Sequence, residues 1–313
     1  MIHLFYNDKQ GRGCQLDLFS NAISSCLNNM GFKTSVNCTT EQLNKHEPFK
    51  KDDVLFCIGI ASTRGVFKRW NGGIFLYNVD ETYGYPNSWK NVFHRGYCRG
   101  RNNITVNRIQ YIFDYCPRNV EYFKSAGLKA YFTPIGYHKL FDKGEVEKKY
   151  DVSFFGRIVM GKRRNDILNY LKENDIDMFN CLYMYDNKQR ESFQLNPWYF
   201  HKEILKAKIH IHIHRLIDRT FENFPSLRLI MTSACNKIPI ICEKPNWSSL
   251  KEDYDYLVFK RGDKEDLLNK IRYLLSNMDQ ANQMAGNAYN FLKTEYRFED
   301  HFKRSFREAG LCT

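Results

Sequence analysis

The sequence lacks any apolar run long enough to cross a membrane. Its apolar segments are short, residues 54–61 being among the longest, whereas a membrane-spanning helix needs about 20 apolar residues. No cationic segment followed by an apolar one precedes the first predicted strand, so we expect no signal peptide. These absences predict a protein without a transmembrane segment.

Cysteine pairs at short spacing are absent as well. The ten cysteines are scattered along the chain, and no two of them form a C-x-x-C motif. Metal clusters and disulfide frameworks place their cysteines at short, recurring spacing, whereas isolated cysteines pack as small apolar residues. The pattern predicts reduced core cysteines and therefore a cytoplasmic protein.

Internal repeats are also missing, and the chain instead alternates strand and helix patterns. The 313 residues suffice for two domains with separate cores. A βαβ pattern covers residues 2–37, and the alternation restarts at residues 152–155 after the charged connector 142–149. We therefore predict an α/β fold with two Rossmann-like doubly wound domains, residues 1–146 and 147–296.

The first domain lacks the G-x-G-x-x-G fingerprint of dinucleotide-binding proteins, because Leu16 stands where the third glycine would be. Its apolar strand 73–79 ends in Asp80 and Glu81. Acidic residues at the carboxyl end of a parallel strand point into the crevice where ligands bind. Asp80 and Glu81 are therefore candidate catalytic residues, and the alternative is that they solvate the loop or cap a helix.

Residues 221–243 form one helix-strand step of the second domain. The pattern predicts a helix that opens near Pro225, a turn at Asn236 and Lys237, and a buried strand over residues 238–242. A helix N-terminus offers free backbone N–H groups and a positive dipole end, which suit a phosphate. The candidate ligand-binding residues before and at this helix start are Arg219, Glu222, Asn223 and Ser226. The alternative is an ordinary structural layer.

A glycine-containing basic loop follows the strand at residues 152–155. It runs from Gly156 and Arg157 to Gly161 and Lys162. Arginine and lysine in such a loop suit a diphosphate, whose negative charge must be stabilised as it leaves. The loop is therefore a candidate phosphate-binding site, although basic loops also occur without a ligand.

Three histidines, His210, His212 and His214, alternate with isoleucines, so their imidazoles point to one face of a strand. Such a row could bind zinc, but no acidic or thiolate fourth ligand is adjacent, and we predict no metal site. We expect His214, nearest the carboxyl end of the strand, to face the ligand crevice as a catalytic candidate. The other two should be packed or hydrogen-bonded.

Half of the net charge of +12 lies in residues 64–108. Eight lysines and arginines stand there against Asp80 and Glu81, interleaved with aromatic residues. Cations track phosphates, and aromatic rings stack on bases or sugar faces. The segment indicates an anionic partner, whether nucleic acid, phosphorylated glycan or lipid headgroup. The alternative is a surface that only keeps the protein soluble.

Four segments between residues 111 and 300 resemble a known family in their sequence and order. They are PRNVEYFKSAGLKAYFTPIGYHKLF, KYDVSFFGRIVMGKRRNDIL, FENFPSLRLIMTSACNKIPIICE and DYLVFKRGDKEDLLNKIRYLL. This order is similar to that of GT-B glycosyltransferases of the group-1, CgeB-like kind. The resemblance implies two Rossmann-like domains facing a central cleft, an N-terminal acceptor domain and a C-terminal donor domain. It also implies that the helix at residues 297–313 packs back on the first domain, and its Phe298, Phe302 and Phe306 need a surface to cover.

The same resemblance implies roles for individual residues. An arginine and a lysine of the family's second-domain loop hold the donor diphosphate, which corresponds to Arg157 and Lys162 here. The family's two glutamates, separated by seven residues, hold the donor sugar and ribose. Glu222 fits the first position, but Ile230 stands at the second. Arg228 is typical of the CgeB-like branch.

Two functions follow from these patterns. The first is a glycosyltransferase that moves a hexosyl or pentosyl group without a metal ion. Its donor would be a nucleotide sugar, with UDP-sugar as the leading candidate and no tightly bound cofactor. Its acceptor would be an anionic glycan or modified DNA, with Asp80 or Glu81 orienting or deprotonating the acceptor hydroxyl. The second is a non-catalytic GT-B-like module that binds nucleic acid, which the missing second glutamate favours.

Overall fold

The computed structural model describes most of the chain and divides it into two compact units. The described residues are 1–6, 13–37, 39–46, 48–59, 70–79, 108–157, 162–183, 203–214, 229–245 and 247–313. Residues 1–135 and 298–313 form an N-terminal unit, and residues 136–297 form a C-terminal unit. The boundary between the units lies at residues 135 and 136, ahead of the predicted domain boundary at residues 146 and 147.

The N-terminal unit is built on a parallel sheet, whose described strands number six and lie in the order β2-β1-β3-β4-β5-β6. The strands are β1 Ile2–Phe5, β2 Thr34–Asn37, β3 Val54–Ile58, β4 Gly73–Asn78, β5 Ile109–Asp114 and β6 Ala130–Phe132. Its first helices are α1 Gly13–Asn29, α2 Thr40–Asn44 and α3 Pro117–Ser125. The strand order reverses between β1 and β3, which defines a topological switch point.

The C-terminal unit repeats this plan with a parallel sheet in the order β11-β10-β9-β7-β8 over the described strands. The strands are β7 Tyr150–Arg157, β8 Met178–Tyr183, β9 Ala207–His212, β10 Ile240–Glu243 and β11 Leu257–Phe259. The helices are α4 Lys162–Glu173, α5 Lys264–Ser276 and α6 Met278–Thr294, with a π-helical turn Leu229–Ser233 and a 3-10 turn Ala234–Asn236 before β10. Here the switch point lies between β7 and β9. The predicted α/β fold with two doubly wound Rossmann-like sheets is confirmed.

Local sequence signals explain where several elements begin and end. Pro117 occupies the first turn of α3, where its missing N–H removes no helical hydrogen bond. The side chain of Asp263 accepts a hydrogen bond from the Asp266 backbone N at 2.9 Å and so caps α5. Lys237 adopts a left-handed conformation, with φ of 53°, and it ends the 3-10 turn where the sequence predicts a turn.

The last helix, α7 Phe298–Glu308, covers the sheet of the N-terminal unit. Its phenylalanines at positions 298, 302 and 306 are all buried. The Phe302 ring stacks on Phe113 of β5 with the ring centroids 5.8 Å apart. The Ser305 hydroxyl donates to the Phe132 carbonyl oxygen at 3.0 Å and accepts from the Thr133 hydroxyl at 2.8 Å. These contacts make α7 part of the N-terminal core.

Within the described residues, no helix combines the length and the apolar character that a membrane span requires.

Gly72 lies where the chain entering β4 passes too close to its neighbour for a side chain. A Cβ atom at Gly72 would overlap the backbone oxygen of Asp53. We therefore expect Gly72→Ala to lower the free energy of unfolding of the N-terminal unit by about 1–3 kcal/mol. A Cβ atom added to Gly286, inside α6, would have no neighbouring atom within 4 Å. Gly286→Ala should therefore stabilise its unit by about 0.5–1 kcal/mol. Urea denaturation measures both, and equal stability of Gly72→Ala and the parent would contradict the assignment.

Candidate functional site

The carboxyl edge of the C-terminal sheet is the candidate site that the fold defines. In open parallel sheets, ligands bind outside the carboxyl ends of the strands at the switch point. Here that point lies between β7, which ends at Arg157, and β9, which ends at His212. Helix α4 begins at Lys162, shortly after β7, so its N-terminus opens at the same edge.

Glu243, the last residue of β10, lies at this edge on the strand next to β9. Its side chain is fully buried and forms an ion pair with the Arg163 guanidinium of α4. One carboxylate oxygen accepts a hydrogen bond from the His214 backbone N at 2.7 Å, and the other accepts one from the Gly262 backbone N at 2.8 Å. A buried carboxylate is tolerated when charged and hydrogen-bonding partners surround it. Glu243 therefore ties together the segments that follow β7, β9 and β11.

Arg163 makes two contacts with this edge. Besides the ion pair with Glu243, its Nη1 donates to the His214 carbonyl oxygen at 2.6 Å. Its side chain remains 16% exposed, and its buried Nε–H has no acceptor among the described residues. Because a guanidinium carries five N–H groups, Arg163 retains donors that these two contacts do not use.

Arg164 lies beside Arg163 but faces the interior of the unit. Its Nε and Nη2 atoms donate to the Ile213 carbonyl oxygen at 3.1 Å and 2.6 Å. Its guanidinium lies over the Phe154 ring, 5.7 Å from the ring centroid, and only 6% of the residue is exposed. Arg164 thus fastens α4 to the end of β9.

The three histidines of the β9 segment have different surroundings. The Nδ1 atom of His210 lies 2.8 Å from the Ser153 hydroxyl in the interior. The His212 and His214 rings meet edge to face at 5.2 Å, and the Nε2 atom of His214 lies 3.3 Å from the Lys244 carbonyl oxygen. His214 is buried, and its backbone rather than its ring contacts Glu243. Its catalytic role stays a prediction.

A metal site is not found in the described part of the chain. No three histidine, cysteine, aspartate or glutamate side chains among the described residues are grouped so that they could hold a metal ion.

The other predicted site residues divide into two groups. Gly156 and Arg157 end β7 and Lys162 begins α4, so their backbones lie at the candidate edge; their side chains lie outside what the structure describes. The remaining predicted residues fall outside the described residues: Asp80, Glu81, Arg219, Glu222, Asn223, Ser226 and Arg228. Their roles stay predictions.

The N-terminal sheet has its own buried carboxylate at the corresponding edge. Asp114 ends β5 and accepts a hydrogen bond from the side-chain amide of Asn78 at 2.6 Å. It also accepts hydrogen bonds from the Asn119 amide at 3.1 Å and from the Cys116 backbone N at 2.8 Å. Asn78 ends β4 shortly before the predicted Asp80. The carboxyl edge of this sheet is therefore held by a polar network that includes the last residue of β4.

The sequence interpretation did not single out Glu243 or Arg163. Glu243 directly follows the apolar run of β10, and an acidic residue at the carboxyl end of a buried parallel strand is the same signal that indicated Asp80 and Glu81. Arg163 is the middle residue of the basic run at positions 162–164. Sequence alone does not show which member of that run faces the edge of the sheet.

The two parallel sheets and their switch points define a protein of the GT-B fold. Residues 153–304 match the family model described as "Glycosyl transferase-like". No curated protein matches the chain in sequence. The matched residues make up just under half of the chain, and the CgeB-like branch stays a prediction.

Solved structures of low sequence identity show the same fold. HepE from Anabaena, in complex with UDP and glucose, has a TM-score of 0.64 at 9% identity. The superposition covers 99% of this chain and 98% of the HepE chain. Sucrose-phosphate synthase from Thermosynechococcus elongatus has a TM-score of 0.61 at 11% identity, and the superposition covers 98% of this chain and 97% of the synthase chain. TarM has a TM-score of 0.55 at 11% identity over 85% of this chain. This chain spans 57% of the length of TarM.

Proposed function

We propose that this protein transfers a sugar from a nucleotide-sugar donor to a hydroxyl group of an anionic acceptor. The observation that carries the proposal is the carboxyl edge of the C-terminal sheet, where β7, β9 and the N-terminus of α4 meet at a switch point and Arg163 of α4 contacts Glu243 and the His214 carbonyl oxygen. Such an edge suits a diphosphate because helix N–H groups and arginines stabilise its charge. HepE, which shares the fold, has been solved with UDP-glucose, and a UDP-sugar is therefore the first donor to test.

Each predicted residue has a role in the proposed reaction. Arg157 and Lys162 neutralise the charge that develops on the leaving diphosphate, which is the largest electrostatic demand of the transfer. These cations take the place that a metal ion fills in other transferases, so we propose a metal-independent transfer of a hexosyl or pentosyl group. Glu222 contacts the donor sugar or ribose, with Arg219, Asn223, Ser226 and Arg228 in the same loop and helix start. His214, which follows β9, is the candidate catalytic group.

The N-terminal unit is the proposed acceptor domain. Its segment 64–108 carries a net charge of +6, which suits modified DNA or an anionic surface glycan. Asp80 or Glu81, which follow β4, would orient or deprotonate the acceptor hydroxyl. The cysteines whose side chains are described are all free thiols, and this supports the proposed cytoplasmic location.

Nucleotide binding tests the proposal directly. We expect UDP or UDP-glucose at 100 times its Kd to stabilise the C-terminal unit by about 2.7 kcal/mol, measured as a rise in its Tm. ADP and GDP serve as matched nucleotides, and Arg157→Ala and Lys162→Ala should weaken UDP binding. Release of UDP from UDP-glucose when DNA or an anionic glycan is added would then identify the acceptor. If no nucleotide sugar shifts the Tm, the donor assignment fails and the nucleic-acid-binding module remains.

A further inference from the structure

Glu243 joins three segments that follow strands of the C-terminal sheet at its carboxyl edge. Its contacts are Arg163, which follows β7, the His214 backbone N, which follows β9, and the Gly262 backbone N, which follows β11. These partners are distant in sequence, Arg163 being 80 residues from Glu243. One buried carboxylate therefore sets the relative positions of three separate segments.

The position of Arg163 follows from these contacts. One Nη atom pairs with the carboxylate and the other donates to the His214 carbonyl oxygen at 2.6 Å. A planar guanidinium held by two acceptors has a fixed orientation, unlike a lysine ammonium on a flexible stem. The remaining N–H groups then point in defined directions, and the side chain stays partly exposed at 16%.

We infer that Glu243 is a positioning residue that holds the Arg163 guanidinium for a phosphate group of the donor. The inference rests on the proposed function, because it places a nucleoside diphosphate at this edge of the sheet. Arg163 thereby joins Arg157 and Lys162 as a phosphate contact. Glu243 acts through Arg163 and does not itself touch the negatively charged ligand, which a carboxylate would repel.

The neighbouring arginine shows why this role belongs to Arg163. Arg164 donates to the Ile213 carbonyl oxygen and lies over the Phe154 ring, both inside the unit. Arg164 contributes to packing and to the end of β9. Arg163 instead bridges Glu243 and the His214 carbonyl oxygen, which lie at the carboxyl edge of the sheet, and its side chain stays partly exposed.

The test measures UDP affinity by isothermal titration calorimetry and unliganded Tm for the full chain. The variants are Arg163→Gln, Arg163→Lys, Glu243→Gln and the double Arg163→Gln/Glu243→Gln. We expect each single glutamine variant to weaken UDP binding about 10- to 100-fold, as loss of a charge-assisted contact implies. The double variant should lose no more affinity than the weaker-binding single variant, because Glu243 acts through Arg163. Arg163→Lys should restore part of the lost affinity.

A matched control separates positioning from stability. Glu203 is also a buried carboxylate of the C-terminal unit, and it precedes β9 at the opposite edge of the same sheet. It pairs with Lys206 at 2.5 Å and accepts from the Tyr150 hydroxyl at 3.2 Å. Glu203→Gln should lower the unliganded Tm and leave UDP affinity within about twofold of the parent.

The outcomes distinguish the two proposals. If the parent binds no nucleotide, the proposed function fails and the inference falls with it. If the parent binds UDP but Arg163→Gln binds it equally well, or if the losses at Arg163 and Glu243 simply add, the inference alone is overturned. Should Glu243→Gln fail to fold, Glu243→Asp keeps the charge but withdraws it by one methylene group. A loss of UDP affinity in Glu243→Asp would support the inference, and unchanged affinity would refute it.

Discussion

Replacing Phe302 by alanine should lower the free energy of unfolding of the N-terminal unit by about 3–5 kcal/mol. The side chain is fully buried in α7, and its ring stacks on Phe113 at 5.8 Å and on Phe306 at 4.9 Å. It also meets Phe56 of β3 edge-on at 6.0 Å. Truncation removes the buried ring and these contacts, and a cluster of rigid rings cannot collapse to fill the space.

Hydrogen exchange followed by mass spectrometry, in increasing urea, measures this effect because it reports the two units separately. We expect faster exchange in peptides from β3, β4 and β5 and unchanged exchange in the C-terminal sheet. Phe291→Ala is the matched control, because Phe291 lies in α6 of the other unit and is only half-buried. If peptides from β3, β4 and β5 exchange no faster in Phe302→Ala than in Phe291→Ala, α7 does not stabilise the N-terminal core in the way described.

Acid should destabilise the N-terminal unit through His301. Burial, followed by the positive charge of Arg304, lowers the pKa of the His301 imidazole from 6.5 to about 4. The unfolded chain therefore binds a proton more readily than the folded one between these two values. The contribution of His301 is fully present above pH 6.5 and is lost as the pH falls towards 4. It amounts to about 2 kcal/mol between pH 7 and pH 5.

The variant His301→Gln isolates this contribution because it removes the titrating group. Urea denaturation from pH 7 to pH 5 should show a steeper loss of stability in the parent than in the variant. His3 acts in the same direction, since burial also lowers its pKa, so the variant keeps some dependence on pH. Parallel curves for parent and variant would rule out His301 as the source.

The strands and the fold class could be read from the sequence because their signals are local. The helix predicted near Pro225 is, over its described part, the π-helical turn Leu229–Ser233 and the 3-10 turn Ala234–Asn236. The strand predicted at residues 238–242 is observed at Ile240–Glu243. It begins later because Pro239 has no backbone N–H to offer the sheet, although its carbonyl oxygen accepts from the His210 backbone N at 2.8 Å. Four-residue spacing of phenylalanines likewise marks the apolar face of α7.

The ion pair at the candidate site could not be read in the same way. Arg163 and Glu243 lie 80 residues apart, and their meeting depends on β7 and β10 both lying next to β9 in the sheet. Which residue of the run 162–164 faces Glu243 depends on the rotation of α4, and three adjacent cations leave that rotation undefined. Residue type therefore identified the basic loop, while the topology selected the arginine.

The position of α7 has a consequence for how the protein is made. The N-terminal unit needs residues 298–313 to cover its sheet, and the ribosome synthesises them after the whole of the C-terminal unit. Nascent domains usually fold in the order of synthesis. Here the N-terminal unit cannot complete its core first, because the aromatic face of its sheet stays uncovered until α7 has been synthesised. The contiguous residues 136–297 can complete their core earlier. During translation the rings of β3, β4 and β5 that α7 covers in the folded unit are thus exposed until residues 298–313 have been made.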